Sequence, residues 1–221
     1  MGQPVTDKSL ATMIHEFQEQ LLPTIPQHTL NTLMDELRSL IASGIAEKAI
    51  NRGGRFPSFN LTNANNETRS LREFLNHGPL IVSFYRGAWC PYCNLEINAL
   101  QQRLPEINAA GAQLVAISPQ LPDKSVAQVN NSKLTFEVLS DIGNLLAKDC
   151  GLVFTLPESL RPIYEAWQID IPGHNGDNRF ELPIPATYII DTAGKVYYAH
   201  IDMDYTRRLE PDIIIEQLKT V

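Results

Sequence analysis

The chain has 221 residues, 43% of them hydrophobic, and a formal net charge of -7. That length suits one well-buried domain with an appendage, and an acidic balance without Lys/Arg clusters argues against nucleic-acid binding. No apolar stretch approaches the ~20 residues of a membrane span, and the N-terminus lacks a basic-then-apolar signal pattern, so a cytoplasmic protein is expected.

Residues 1–52 are expected to form a helical arm and residues 53–221 the main domain. Ile14, Phe17, Leu21 and Leu22 fall at helical spacing until Pro23 and Pro26 interrupt. After Thr29 a second apolar stripe runs through Leu30, Leu33, Leu37, Leu40, Ile41 and Ile45. Two amphipathic helices bury too little alone, so the arm packs on the main domain or makes a homodimer contact.

Gly53-Gly54 and Pro57 mark the boundary. An extended piece around Phe59 to Leu61, a polar turn from Asn63 to Glu67 and a helix capped by Ser70 come next. A buried strand over 80–85 then leads into a cysteine turn and a helix from Pro91 to Ala110. Gln113 to Ser118 reads as the next strand, which makes a right-handed βαβ unit with parallel strands. A helix over 125–131, a strand over 136–139 and a helix over 144–150 follow. Residues 151–182 are loop-rich, with one helix around 159–167 and a polar, Gly-rich excursion at 172–178 that reads as a surface loop or a lid. Strands over 186–191 and 196–201 form a hairpin, and a helix over 210–219 closes the chain.

The chemistry concentrates in Arg86-Gly87-Ala88-Trp89-Cys90-Pro91-Tyr92-Cys93. In a reducing compartment a lone Cys-x-x-Cys, out of only three cysteines, reads as redox chemistry before structural stapling. At a helix start, unsatisfied backbone N–H groups favour a thiolate, and Arg86 adds positive charge. One sulfur can attack and the other resolve the product. The bland alternative is a metal or iron–sulfur site, but Cys150 is the one other cysteine and the histidines have no pair spacing. No metal or other cofactor is therefore expected, and Cys150 reads as a small buried residue before a remote resolving thiol. Pro185, directly before a strand, suits a cis bond that offers the Ile184 backbone to a thiol partner.

Taken together, these features resemble the thioredoxin superfamily, and within it the peroxiredoxin-like alkyl hydroperoxide reductase/thiol-specific antioxidant (AhpC/TSA) group. The resemblance covers about residues 55 to 221 and implies an α/β, thioredoxin-like central mixed sheet flanked by helices, with the N-terminal helical arm outside it. Such proteins carry Pro-x-x-x-Thr-x-x-Cys after a Phe-Tyr strand end, with Glu three residues beyond the cysteine. Phe84-Tyr85 matches, Cys93 falls on the peroxidatic cysteine and Glu96 on the glutamate. Arg86 replaces the motif proline, Cys90 its threonine, and Pro185 stands where the family usually has a thiolate-stabilising arginine.

The resemblance implies a thiol peroxidase whose substrate is a hydroperoxide and whose reductant is a thioredoxin-like dithiol protein. Cys93 would attack the peroxide, Cys90 would condense with it, and Arg86 would stand in for the missing arginine, with Trp89, Glu96 and Pro185 as support. Arg179, Arg207 and Arg208 are remoter candidates, and the Arg207-Arg208 pair reads first as solvated or salt-bridged. Two alternatives remain: a disulfide oxidoreductase with Cys90 as the attacking thiolate, and a non-enzymatic metal-binding module.

Overall fold

A computed structural model describes residues 8–221; the first seven residues of the expected arm lie outside the described residues. Its centre is a seven-stranded mixed sheet in the order β2-β1-β5-β4-β3-β8-β9. The strands are β1 (Asn60–Asn63), β2 (Thr68–Ser70), β3 (Leu80–Phe84), β4 (Gln113–Ser118), β5 (Glu137–Ser140), β8 (Ala186–Ile190) and β9 (Val196–Ile201). β3, β4 and β5 run parallel, while β8 pairs antiparallel with β3 from Leu80↔Ile190 to Phe84↔Ala186. β6 (Val153–Thr155) and β7 (Glu181–Pro183) form a separate two-stranded ribbon.

The central strands are mostly apolar because both faces are covered, with Ser83, Ser118 and Thr187 as buried polar exceptions. Ile81, Leu114, Ala116 and Val138 point into one core, with α1 (Leu10–Leu21), α4 (Pro91–Ala109) and α9 (Pro211–Leu218). Their neighbours Val82, Val115, Ile117 and Leu139 point into the other, with Phe56, Phe59 and residues of α3 (Leu71–Leu75) and α6 (Leu145–Asp149). Alternation along each strand is the geometric cause of this division. The βαβ crossover is tight: Gly78, at φ 140°, lies so close to Gly111 that a Cβ there would meet the Gly111 carbonyl oxygen at 2.1 Å.

In the arm, α1 is followed by a 3-10 turn (Leu22–Thr24) and by α2 (Gln27–Ala42). The Glu210 carboxylate accepts hydrogen bonds from the backbone N–H groups of Leu10 (3.0 Å) and Ala11 (2.7 Å), so the body caps the first arm helix. Leu10 and Ile14 are buried, and the Phe17 ring meets Tyr92 edge-on at 5.3 Å. Ser159 donates to Glu36, which ties α2 to the segment before α7 (Arg161–Ala166).

Three details depart from the sequence expectations. β2 pairs with β1 across the expected turn at 63–67, where the sequence suggests no second strand. α5 (Pro122–Asn131) starts three residues before the expected Ser125, because Pro122 occupies its first turn, where a missing N–H costs nothing. The excursion at 172–178 is partly helical: α8 (Ile171–Asn175) is capped by Asp170, which accepts from Gly173 N at 2.9 Å. Among the described residues no helix is long and apolar enough to cross a membrane.

Candidate active site

Both cysteines of the motif sit where β3 hands over to α4. Cys90 is the residue capping α4 and Cys93 lies in its first turn, and both side chains are fully buried. Pro91 begins the helix with the fixed φ that a first turn needs. A polar chain fixes the turn between them. Tyr85 donates from its hydroxyl to Gln128 (2.9 Å), Gln128 to Asn94 (2.8 Å), and Asn94 to the Ala88 carbonyl (2.8 Å). From the other side, Gln120 accepts from Ala88 N at 3.0 Å and donates to Ser125 at 3.0 Å.

The two sulfurs lie close enough to influence each other's titration, and each faces a guanidinium. Arg86 Nη2 donates to Cys90 Sγ at 3.1 Å, and Arg208 Nη2 donates to Cys93 Sγ at 3.3 Å. Arg86 also donates to the Tyr164 hydroxyl (3.1 Å) and lies over the rings of Tyr205 (3.9 Å) and Trp89 (5.1 Å). Arg208 is bound deeper: its side chain is 1% exposed and it pairs with Glu96 at 2.6 Å. Thr187 on β8 stands 3.5 Å from the other Glu96 oxygen.

The electrostatics separate the two thiols. Burial pushes Cys90 up, but the hydrogen bond from Cys93 and the charges of Arg86 and Arg208 outweigh it and hold Cys90 well below the ordinary thiol range. Burial, the hydrogen bond to Cys90 and its negative charge push Cys93 well above that range. The first proton therefore leaves the pair much more readily than the second. Among the described residues no carboxylate pairs with Arg86, whereas Glu96 offsets the charge of Arg208, so the anion is best placed on Cys90. Burial also pushes the Glu96 carboxyl up, against the pull of Arg208. Such a constellation can present one sulfur as a nucleophile and hold a second sulfur ready to close a disulfide.

The candidate residues are not all gathered here. Arg86, Trp89, Cys90, Cys93 and Glu96 come together, and Arg208 joins them as the second guanidinium. Arg207 is exposed and faces Asp202 and Asp204, and Arg179 pairs with Asp177 away from the sulfurs. Pro185 is a correction: among the described residues no peptide bond is cis. The Ile184 N–H donates to Leu152 O at 2.7 Å, so it is spent inside the protein and is not offered to a partner. Pro185 is buried just beyond the Phe84↔Ala186 pair, at the end of the sheet that carries the cysteine turn. Cys150 lies in the other core, beside Leu146 and Tyr188. No group of three or more His, Cys, Asp or Glu side chains that could hold a metal ion occurs among the described residues.

Sequence reasoning missed Tyr164, Tyr205 and the Gln120 and Gln128 supports. It put a site role for Arg208 second to a solvated or salt-bridged one, and Arg208 is both salt-bridged to Glu96 and in contact with Cys93. A signal was present: Glu96 falls on the apolar face of α4 with Cys93, Ile97 and Leu100, and a buried carboxylate there calls for a cation from elsewhere.

Residues 53–199 match the AhpC/TSA family model. The chain is 33% identical over 168 residues to a chloroplastic peroxiredoxin Q of Populus jackii, covering 76% of this chain and 66% of that one. It is 26% identical over 185 residues to a chloroplastic peroxiredoxin Q of Triticum aestivum, covering 83% of this chain and 72% of that one. The chain thus spans about two thirds of the length of these plant relatives. In fold it resembles the crystal structure of peroxidoxin BcpB from Mycobacterium tuberculosis, with a TM-score of 0.62 at 21% identity, over 78% of this chain and 98% of that one. With the matched segment running from before β1 through the cysteine turn and into the last strand of the closing hairpin, the chain belongs to the AhpC/TSA family.

Proposed function

We infer that this chain is a thiol-dependent peroxidase working through a Cys90–Cys93 sulfenic acid and disulfide cycle. The observation that carries the reading is the Cys90 sulfur held between the Arg86 guanidinium and the Cys93 thiol. A thiolate is the reactive form of cysteine, and here it accepts from one charged donor, Arg86, with the Cys93 thiol close by. In the first step the Cys90 thiolate attacks the terminal oxygen of a hydroperoxide. An S–O bond forms, the O–O bond breaks, and the alkoxide leaves and takes a proton to become an alcohol. Arg86 is placed to stabilise the charge that develops on the departing oxygen. In the second step Cys93 attacks the sulfenic sulfur, an S–S bond forms and water leaves. An external dithiol protein such as thioredoxin then returns two electrons by thiol–disulfide exchange.

Spacing to Phe84-Tyr85 points to Cys93 as the attacking sulfur, whereas charge favours Cys90. Cys93 is backed by Glu96, Thr187 and the 1%-exposed Arg208, deeper in the body. Burial also favours a peroxidase over a disulfide oxidoreductase. A hydroperoxide reaches a covered sulfur through a small displacement, while a protein disulfide needs an open one. Reduction of the Cys90–Cys93 disulfide therefore requires the turn to open after oxidation.

The cycle needs a reducing compartment, and we place it in the cytoplasm. The test is peroxide-dependent oxidation of thioredoxin by the purified chain. Turnover that disappears in both single cysteine variants supports the reading, and wild-type consumption no faster than that of a free thiol overturns it.

A further inference from the structure

A cleft of about 620 Å³ lies between the arm and the body, directly outside Arg86. Its outer walls are arm residues, among them Leu21, Leu22, Leu33 and Met34, and its inner end is formed by Arg86, Trp89, Tyr164 and Tyr205. Three of its side chains are large, apolar and open to solvent: Leu22 at 43%, Met34 at 52% and Trp167 at 42% exposure. The family-matched segment begins at residue 53, so the arm walls lie outside it. The cleft is thus an addition to the family's body, built against the reacting turn.

Two polar atoms at the inner end lack partners: Arg86 Nε and Trp89 Nε1 are buried without a hydrogen bond. Neither atom reaches the cleft surface, so the polar feature of the inner end is the Arg86 guanidinium, flanked by the Trp89 and Tyr205 rings. Asp204 is the one carboxylate in the lining and repels an anionic tail. An apolar body with a small oxygen-bearing end, and no negative charge, fits these features.

We propose that the arm cleft is a substrate site that selects uncharged, bulky organic hydroperoxides over hydrogen peroxide, with the arm as the specificity-determining element. The proposal rests on the peroxidase reading and adds where the substrate body sits. The hydroperoxide end faces Arg86, and the organic group packs on Leu22, Leu33 and Met34. Hydrogen peroxide gains nothing from those walls, whereas each methylene removed from water is worth roughly fourfold in affinity. Arg86 lines the cleft and also donates from Nη2 to Cys90, so it joins the cleft to the reacting turn.

The test compares kcat/KM for cumene hydroperoxide and for hydrogen peroxide in wild type and in the double variant Leu22→Glu/Met34→Glu. Both sites are exposed, and retained thermal unfolding shows that the variant folds. The expected result is a cumene-to-hydrogen-peroxide ratio above 1 in wild type that falls at least tenfold in the variant. A second readout needs no turnover. The chain's two tryptophans, Trp89 and Trp167, both line the cleft, so titration with 2-phenyl-2-propanol, the product alcohol, should change the fluorescence of wild type and not that of the variant. A ratio that does not move, or no fluorescence change in wild type, overturns the proposal. So does a wild-type dimer that the variant dissociates while the ratio holds, since the cleft walls would then be a contact between copies. If wild type reduces neither peroxide, the peroxidase reading itself fails, which is distinct from reducing both with an unaltered ratio.

Discussion

Arg208 Nη2 stands 3.3 Å from Cys93 Sγ although the two residues are 115 positions apart. The guanidinium reaches the sulfur from the loop before α9, and its other nitrogen is held 2.6 Å from Glu96. The position before β8, where the family usually has an arginine, carries Pro185. The buried cation thus enters from a different part of the chain, and the cation beside Cys90 is Arg86.

Replacing Arg86 by Met should slow the peroxide reaction. A charge-assisted hydrogen bond contributes about 1.5–3 kcal/mol, which corresponds to roughly 10- to 100-fold in rate at neutral pH. The sign of the pH effect follows from Cys90 being depressed. In wild type the rate should fall as pH drops through that lowered value. In Arg86→Met the falling limb should move to higher pH. Stopped-flow peroxide kinetics across pH measures both, and an unmoved limb would remove Arg86 from the account.

Arg208→Met leaves Glu96 buried without its partner. Because both side chains are nearly inaccessible, the loss should be about 3–5 kcal/mol in unfolding free energy. Arg208→Met/Glu96→Gln should recover part of that loss, because the uncompensated charge is gone. Urea denaturation of the single and double variants checks the order, and a double variant less stable than the single one contradicts it.

Gly78→Ala should destabilise the crossover without touching the sulfurs. The added Cβ would come within 2.1 Å of the Gly111 carbonyl, at a φ that L-residues rarely adopt. A loss of at least ~2 kcal/mol in denaturant unfolding is expected, since either backbone must shift.

Cys150→Ala should leave the peroxide reaction within twofold of wild type. The residue packs in the opposite core, and burial pushes its thiol up, away from the reactive form. The expected cost is stability alone, on the order of 1 kcal/mol. A large fall in turnover would give Cys150 the resolving role that its position argues against.

The central architecture was legible because its signals are local. The run over 80–85 is apolar on both faces, Gly111 stops α4, and Phe84-Tyr85 before Cys90-x-x-Cys93 sets the turn. β2 was not legible: Thr68-Arg69-Ser70 is polar and is held by pairing with β1 at the sheet edge, not by its own pattern. The β6–β7 ribbon was hidden in the same way, since three-residue strands carry too little periodicity to read. In the site, Arg86 was visible through its nearness to the cysteines. Arg207 and Arg208 are neighbours in sequence with opposite fates, side chains 73% and 1% exposed, and only tertiary packing separates them. The geometry at Pro185 likewise depended on a contact far along the chain, the bond from Ile184 N to Leu152 O.

The most direct measurement is sulfenic acid formation after rapid mixing of Cys90→Ser and Cys93→Ser with peroxide. With Cys90 as the attacking thiolate, Cys93→Ser reacts and accumulates the sulfenic acid, while Cys90→Ser reacts no faster than a free thiol. The reverse result, sulfenic acid in Cys90→Ser and none in Cys93→Ser, would contradict the account and return the nucleophile to the sulfur beside Arg208.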